Sequence, residues 1–245
     1  MQGPDERDRT RRKASEGYGV NLRIAGLGLL FLALGACATQ PAPVIVYGPP
    51  VDYGPPGDER NPPQGAFQPN AFLRQCLGLG VSNSPPVDGE HWVVDFKPVI
   101  VVGQVVLVTA PVNDVCLASG FGPRNGRPHD GIDLTSNPPG TVYSAAPGRV
   151  IEARWSSGYG NQVLIDHGRG VYTRYAHLDT IDPAVQLGAA IGYGLPVGQM
   201  GATGNAEGPH LHFEILMGNY DNPQASKGLA PQDPFSFPAY DNLGY

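Results

Sequence analysis

The chain opens on basic residues, Arg7, Arg9, Arg11, Arg12, Lys13 and Arg23, followed by an apolar run at residues 24–36. That order is the n-region and h-region of an export signal. At roughly 1.5 Å per residue the run covers only about 20 Å, short of the roughly 30 Å that a spanning helix must cross. It therefore predicts secretion ahead of a permanent span. Patterning then lapses: residues 38–70 hold Tyr47-Gly-Pro-Pro50, Tyr53-Gly-Pro-Pro56, Pro62, Pro63 and Pro69. Such a composition buries no core and predicts an extended spacer, reaching on the order of 100 Å at about 3.1 Å per residue. A proline-rich ligand for a partner is the alternative.

Apolar positions return in short runs rich in β-branched residues. Residues 92–96 and 99–109 read as strands, with turn signals at Lys97-Pro98 and Gly103. This stretch, 71–114, either pairs with the domain C-terminal to it or occludes part of that domain's groove. Farther along the chain, strands are predicted at 141–145, 149–155, 162–166, 171–177 and 210–216, with a hairpin turn at Asp166-His-Gly-Arg-Gly170. No amphipathic helix is predicted after residue 115. The fold class is therefore all-β, an antiparallel sandwich or open barrel. The organisation reads as 1–36 signal, 37–70 tether, 71–114 β-rich extension and 115–240 main domain.

Composition agrees with a turn-rich β protein: 34 Gly and 26 Pro in 245 residues, with 41% hydrophobic positions. Sixteen Lys and Arg against 22 Asp and Glu give a net charge of −6, which excludes a general nucleic-acid partner. There are three cysteines. The h-region ends Leu34-Gly-Ala-Cys37, which resembles the bacterial lipoprotein signal, and so implies a lipid-modified Cys37 anchoring the chain to the cell envelope. Ala38 in the next position implies, for a diderm host, the periplasmic face of the outer membrane. An ordinary signal peptide is the alternative. Cys76 and Cys116 remain, as a disulfide or as two free thiols; neither has a CxxC partner for a thiolate zinc site.

The candidate chemistry lies in the histidines. His210-Leu-His212 falls in a predicted strand, so both imidazoles share one face while Leu211, Phe213 and Ile215 share the other. His129 and Asp133 sit four apart in a Gly- and Pro-rich loop entering a strand, and His177 ends another. Two or three imidazoles and one carboxylate from separate segments are the makings of a zinc site. HExxH, GxSxG and P-loop signatures are absent.

Several phrases then carry a resemblance. Ser119-Gly-Phe-Gly-Pro-Arg124, His129-Asp-Gly-Ile-Asp133, Tyr159-Gly-Asn-Gln162, Asp166-His-Gly168, Thr173-Arg-Tyr-Ala-His-Leu178, Val197-Gly-Gln-Met-Gly201 and Gly208-Pro-His-Leu-His-Phe-Glu214 occur in this order. Residues 115–239 resemble the M23 zinc peptidases, the lysostaphin and LytM type that cut peptidoglycan. The resemblance implies a LytM-type β fold with an active-site groove and one Zn²⁺ held by His129, Asp133 and His212. It makes His177 and His210 the catalytic pair, with their roles exchangeable. It further implies peptidoglycan stem peptides as substrate and an endopeptidase reaction, with cell-division or wall-hydrolase proteins as possible partners. The alternative is a catalytically silent or autoinhibited wall-binding protein that activates an amidase. A phosphocarrier with paired histidines is disfavoured, since it needs neither the carboxylate nor an export signal. Arg124, Asn161, Tyr175 and Glu214 read as residues holding loops and strands, His167 as structural and His91 as a surface residue.

Overall fold

A computed structural model describes residues 67–124, 126–222 and 227–240, all within the unit Pro55–Tyr245. The export run, Cys37 and the tether as far as residue 66 lie outside the described residues. The described chain is almost wholly strand: β1 (Arg74–Gln75), β2 (Val99–Val102), β3 (Val105–Val108), β4 (Cys116–Ser119), β5 (Gly122–Arg124), β6 (Arg127–His129), β7 (Ile132–Thr135) and β8 (Thr141–Tyr143). It continues through β9 (Gly148–Ser156), β10 (Gly160–Asp166), β11 (Val171–Ile181), β12 (Ala190–Ile191), β13 (Pro196–Met200), β14 (Leu211–Asn222) and β15 (Lys227–Gln232). A short 3-10 turn, Pro234–Ser236, is the one helical element among the described residues.

The main sheet runs β1-β4-β7-β14-β11-β10-β9-β12, with β13 on β11, β8 on β13, and β15 on β14. All pairings in it are antiparallel except β1 with β4, and the path is an open sheet without barrel closure among the described residues. Alternation explains the layering. Val163 and Ile165 of β10, Tyr175 of β11, and Leu211, Phe213 and Ile215 of β14 all enter one core and are fully buried. On the opposite face Leu164, Tyr172 and Leu216 form a second, small cluster. The hairpin between β10 and β11 turns through Gly168, Arg169 and Gly170, all at positive φ, which glycine supplies without steric cost.

One expectation changes. Residues 92–96 form no strand: Trp92 and Val93 make isolated bridges to Arg74 and Val87, and Asp95 at φ 57° breaks the pleat behind them. The 99–109 run is a separate two-stranded hairpin, β2 with β3, turning at Gly103. Residues 71–114 pair with the main domain. β1 lies beside β4, and Leu73, Ile100, Val102 and Leu107 share the core of Ile132, Leu134 and Phe213. Cys76 and Cys116 form a disulfide with a Cα–Cα distance of 4.9 Å.

Candidate metal centre

Because Leu211, Phe213 and Ile215 fill the core, His210, His212 and Glu214 project from the opposite side of β14. β7 lies next to it with Asp133 paired to His212, and His129 ends β6 just before. His129 Nε2 sits 3.1 Å from Asp133 Oδ1 and 3.2 Å from His212 Nδ1, while His212 Nδ1 is 2.9 Å from Asp133 Oδ1.

The outer nitrogens decide what those three atoms offer. His129 Nδ1 is 2.7 Å from the Gly120 carbonyl oxygen, and His212 Nε2 is 3.0 Å from Glu214 Oε1. Both oxygens only accept, so the ring protons lie on those outer nitrogens. With one proton on each ring, three lone pairs then face one another. That arrangement requires a cation, and two imidazoles with one carboxylate are a zinc donor set. The residues therefore fit a metal ion, their ligand atoms all lying within 4.8 Å of one another.

Electrostatics agree. Burial pushes the Asp133 carboxyl upward, but hydrogen bonds and charge from His129 and His212 outweigh it and hold the group well below the usual carboxylate range. Burial alone would lower His212; its bonds to Asp133 and Glu214 instead raise it to about 9, so without metal a proton is held where a cation would be. Arg124 Nη1 reaches the second Asp133 oxygen at 3.2 Å.

Glu214 is buried and fully engaged. Oε1 also accepts from the Tyr159 hydroxyl at 2.7 Å, and Oε2 pairs with Arg174 at 3.2 Å. The Arg174 guanidinium lies 4.3 Å from the Tyr159 ring centre. Burial, then the Glu214 charge, raise the Tyr159 hydroxyl above its ordinary value, so it donates as a neutral group. Tyr159 and Arg174 went unassigned from sequence. The signal was present in part, since Arg174 and Glu214 are opposite-sign residues amid apolar strand neighbours, and they pair directly across β11 and β14.

His177 and His210 complete the cleft, with ring centres 4.7 Å apart. His177 occupies a positive φ of 60° inside β11, where pairing slips between Leu178 and Thr180. The irregularity puts its ring against His210 and His212 while Leu178 enters the core. His177 Nδ1 donates to the Thr203 carbonyl and His210 Nδ1 to the Gly208 carbonyl, each at 2.8 Å. In a neutral ring this leaves the lone pair on Nε2, and Nε2 of His210 lies 3.6 Å from Asp133 Oδ1. Burial lowers His177 to about 4, leaving it neutral at pH 7.

The remaining candidates lie elsewhere. Tyr175 is in the core, its hydroxyl accepting the Ala145 N–H. Asn161 ties the Leu178 and Asp179 carbonyls. His91 is exposed beside Gln75.

Residues 127–224 match the sequence profile of Peptidase family M23. All five candidate residues and Glu214 fall inside the matched residues, whereas Arg124, Gly120 and the whole of 71–114 precede them. Peptidoglycan DD-endopeptidase ShyB of Vibrio cholerae is 40% identical over 110 residues, 42% of this chain and 25% of the relative. Lysostaphin of Staphylococcus simulans is 34% identical over 124 residues, 48% of this chain and 24% of the relative. A crystal structure of a zinc-containing peptidase from Vibrio cholerae has 33% identity and a TM-score of 0.46, covering 55% of this chain and 40% of that one. The chain spans about a quarter of the length of these two curated relatives.

Proposed function

We propose that the protein is a zinc-dependent endopeptidase that hydrolyses peptide cross-links of peptidoglycan, D-Ala to meso-diaminopimelate bonds in a diderm host. One observation carries this reading: lone pairs on His129 Nε2, Asp133 Oδ1 and His212 Nδ1 converge, with the two ring protons committed to the Gly120 carbonyl and Glu214, beside His177 and His210. The M23 match and the names of the peptidoglycan-cleaving relatives support the substrate class.

Bound Zn²⁺ supplies a Lewis acid that polarises a carbonyl and lowers the pKa of water from about 15.7 to about 7. The protein does the rest. Glu214 and the Gly120 carbonyl keep His212 and His129 in the tautomers that present lone pairs. His210 takes a proton at its bare Nε2, directly beside the ligand set. The same proton then passes to the leaving amine, from His210 directly or after relay to Nε2 of the adjacent His177, whose buried ring gives it up readily.

The same reading includes export and a lipid anchor at Cys37. Its supports are the basic and apolar leader and the pairing of Cys76 with Cys116, which leaves Cys37 as the one remaining thiol of three. Replacing Cys37 by Ala should move the protein from the membrane to the soluble fraction; retention without acylation would overturn the anchor.

The catalytic reading is tested by digesting purified peptidoglycan with the full chain, with and without chelator, alongside His210→Ala, and reading products by mass spectrometry. The expected result is loss of cross-linked dimers that needs both metal and His210. Intact cross-links in the presence of stoichiometric bound zinc would overturn it and favour an amidase-activating role.

A further inference from the structure

The segment preceding the M23 region reaches the metal centre through the turn after β4. β1 runs parallel beside β4, Cys76 N–H donates to the Leu117 carbonyl at 3.0 Å, and the Cys76–Cys116 disulfide joins the two strands. The chain loops outward and returns at the far end of β4. Ser82 bridges Ser119 in parallel, Gly120 N–H donates to the Ser82 carbonyl at 2.8 Å, and the Ser82 and Ser119 hydroxyls lie 2.8 Å apart. Asn83 Nδ2 donates to the Gly122 carbonyl at 2.8 Å, and the Gln75 amide bonds the Ser84 hydroxyl to close the loop. The fit is tight: a Cβ at Gly120 would stand 1.8 Å from the Asn83 carbonyl oxygen, so glycine is required there.

The turn held this way is the one that orients the ligands. Its Gly120 carbonyl accepts the His129 Nδ1 proton at 2.7 Å. Its Ser119 hydroxyl accepts from Arg124 Nη1 at 3.0 Å, and the same nitrogen reaches Asp133 Oδ2 at 3.2 Å. Two of the three ligands therefore lean on groups that Ser82 and Asn83 fix.

We propose that residues 76–84 are a positioning element of the metal centre, anchored by the Cys76–Cys116 disulfide and acting through the Ser119–Gly122 turn on His129 and Asp133. The segment supports metal affinity, and disulfide formation favours metal loading. This rests on the zinc-peptidase reading, since it takes the cluster to be a zinc site. The physical reason is the tautomer: if the Gly120 carbonyl drifts, nothing keeps the His129 proton on Nδ1, and the ring can turn an N–H toward the ligand set. Loss of such outer partners typically weakens metal affinity about 10- to 100-fold.

The test compares zinc dissociation constants, by competition with a chromophoric chelator, for the full chain and three variants of it. These are Ser82→Ala with Asn83→Gly, Cys76→Ser with Cys116→Ser, and Trp92→Ala, a control outside 76–84 but in the same 71–114 stretch, whose ring meets Phe72 edge-on. Near-UV circular dichroism and metal-free thermal unfolding report folding, and imidazole nitrogen NMR reports the His129 tautomer. The first two variants should bind zinc about 10- to 100-fold more weakly, with the His129 Nδ1 proton signal weakened, and Trp92→Ala should stay within about threefold of the parent. A folded Ser82→Ala, Asn83→Gly chain that binds zinc like the parent would overturn the proposal, as would an equal loss in Trp92→Ala at matched stability. If the disulfide variant fails to fold, the Ser82 and Asn83 variant decides alone. A parent that binds no zinc is a different result, overturning the peptidase reading itself and this inference with it.

Discussion

Two buried histidine settings lie on opposite faces of the sheet, and they differ in what each ring has left over. At His167, Nδ1 donates to the Pro147 carbonyl at 2.8 Å and Nε2 meets the Thr173 hydroxyl at 2.7 Å. The Tyr175 hydroxyl stands 2.9 Å beyond, pushed up to about 12 chiefly by burial. Every donor and acceptor of that ring is used, and burial lowers His167 to about 4, so it stays neutral. His129 and His212 are equally buried, but only their outer nitrogens meet groups outside the cluster, while their inner nitrogens face each other and Asp133. Burial alone does not make a ligand. What makes one is a lone pair held toward other lone pairs.

The comparison breaks most visibly at Asp133. Asp133→Ala removes the central oxygen that faces both rings, so stoichiometric zinc should be lost while the core, which Asp133 does not enter, stays folded. Metal analysis beside circular dichroism checks this, and full occupancy would move the site elsewhere. Next in size is His210→Ala, which should keep zinc yet lower peptidoglycan cleavage about 10²- to 10⁴-fold, the usual contribution of a positioned acid or base. Single-turnover rates at saturating zinc separate the two losses.

The opposite face answers to pH. The folded value for His167, about 4, lies below the ordinary 6.5, so between them the unfolded chain binds the proton first. The stability this ring contributes is complete above about pH 6.5 and is lost as pH falls toward 4, up to about 3 kcal/mol. His167→Asn keeps a donor toward Pro147 but removes the titration. Denaturant unfolding of metal-free protein at pH 7 and pH 4.5 should show a smaller drop in the variant, and equal drops would assign the acid sensitivity to other groups.

How much of this contrast was legible in the chain depends on which kind of regularity each part obeys. The two faces of β14 come from period-two spacing, so His210 and His212 could be placed together, and Leu211, Phe213 and Ile215 opposite, without a structure. His177 could not be placed by that rule. Strict alternation through Tyr175 sends it toward the core, and only the positive φ and pairing slip within β11 bring it to the cleft; its motif phrase named it where periodicity misdirected. Residues 92–96 failed for the converse reason: β-branched and aromatic side chains were present, but Asp95 turns the backbone before a ladder can form. The supports were least legible. Ser82 to Gly120 and Tyr159 to Glu214 join segments far apart in the chain, and no local pattern encodes which segments meet.

Those supports allow the finest cut. Glu214→Gln leaves the shape of the β14 face intact but removes the charge that fixes His212, and its amide can turn a donor toward Nε2, which frees the ring proton to occupy Nδ1. Zinc affinity should fall about 10- to 100-fold. Tyr159→Phe removes one neutral donor from Glu214 Oε1 and leaves both the His212 and the Arg174 partners in place. A net loss of about 1 kcal/mol is expected for such a bond, less than a tenfold change in zinc affinity. Titrating both variants with zinc in the same chelator buffer ranks them, and a Tyr159→Phe loss equal to that of Glu214→Gln would mean that the tyrosine, rather than the carboxylate charge, holds the ligand tautomer.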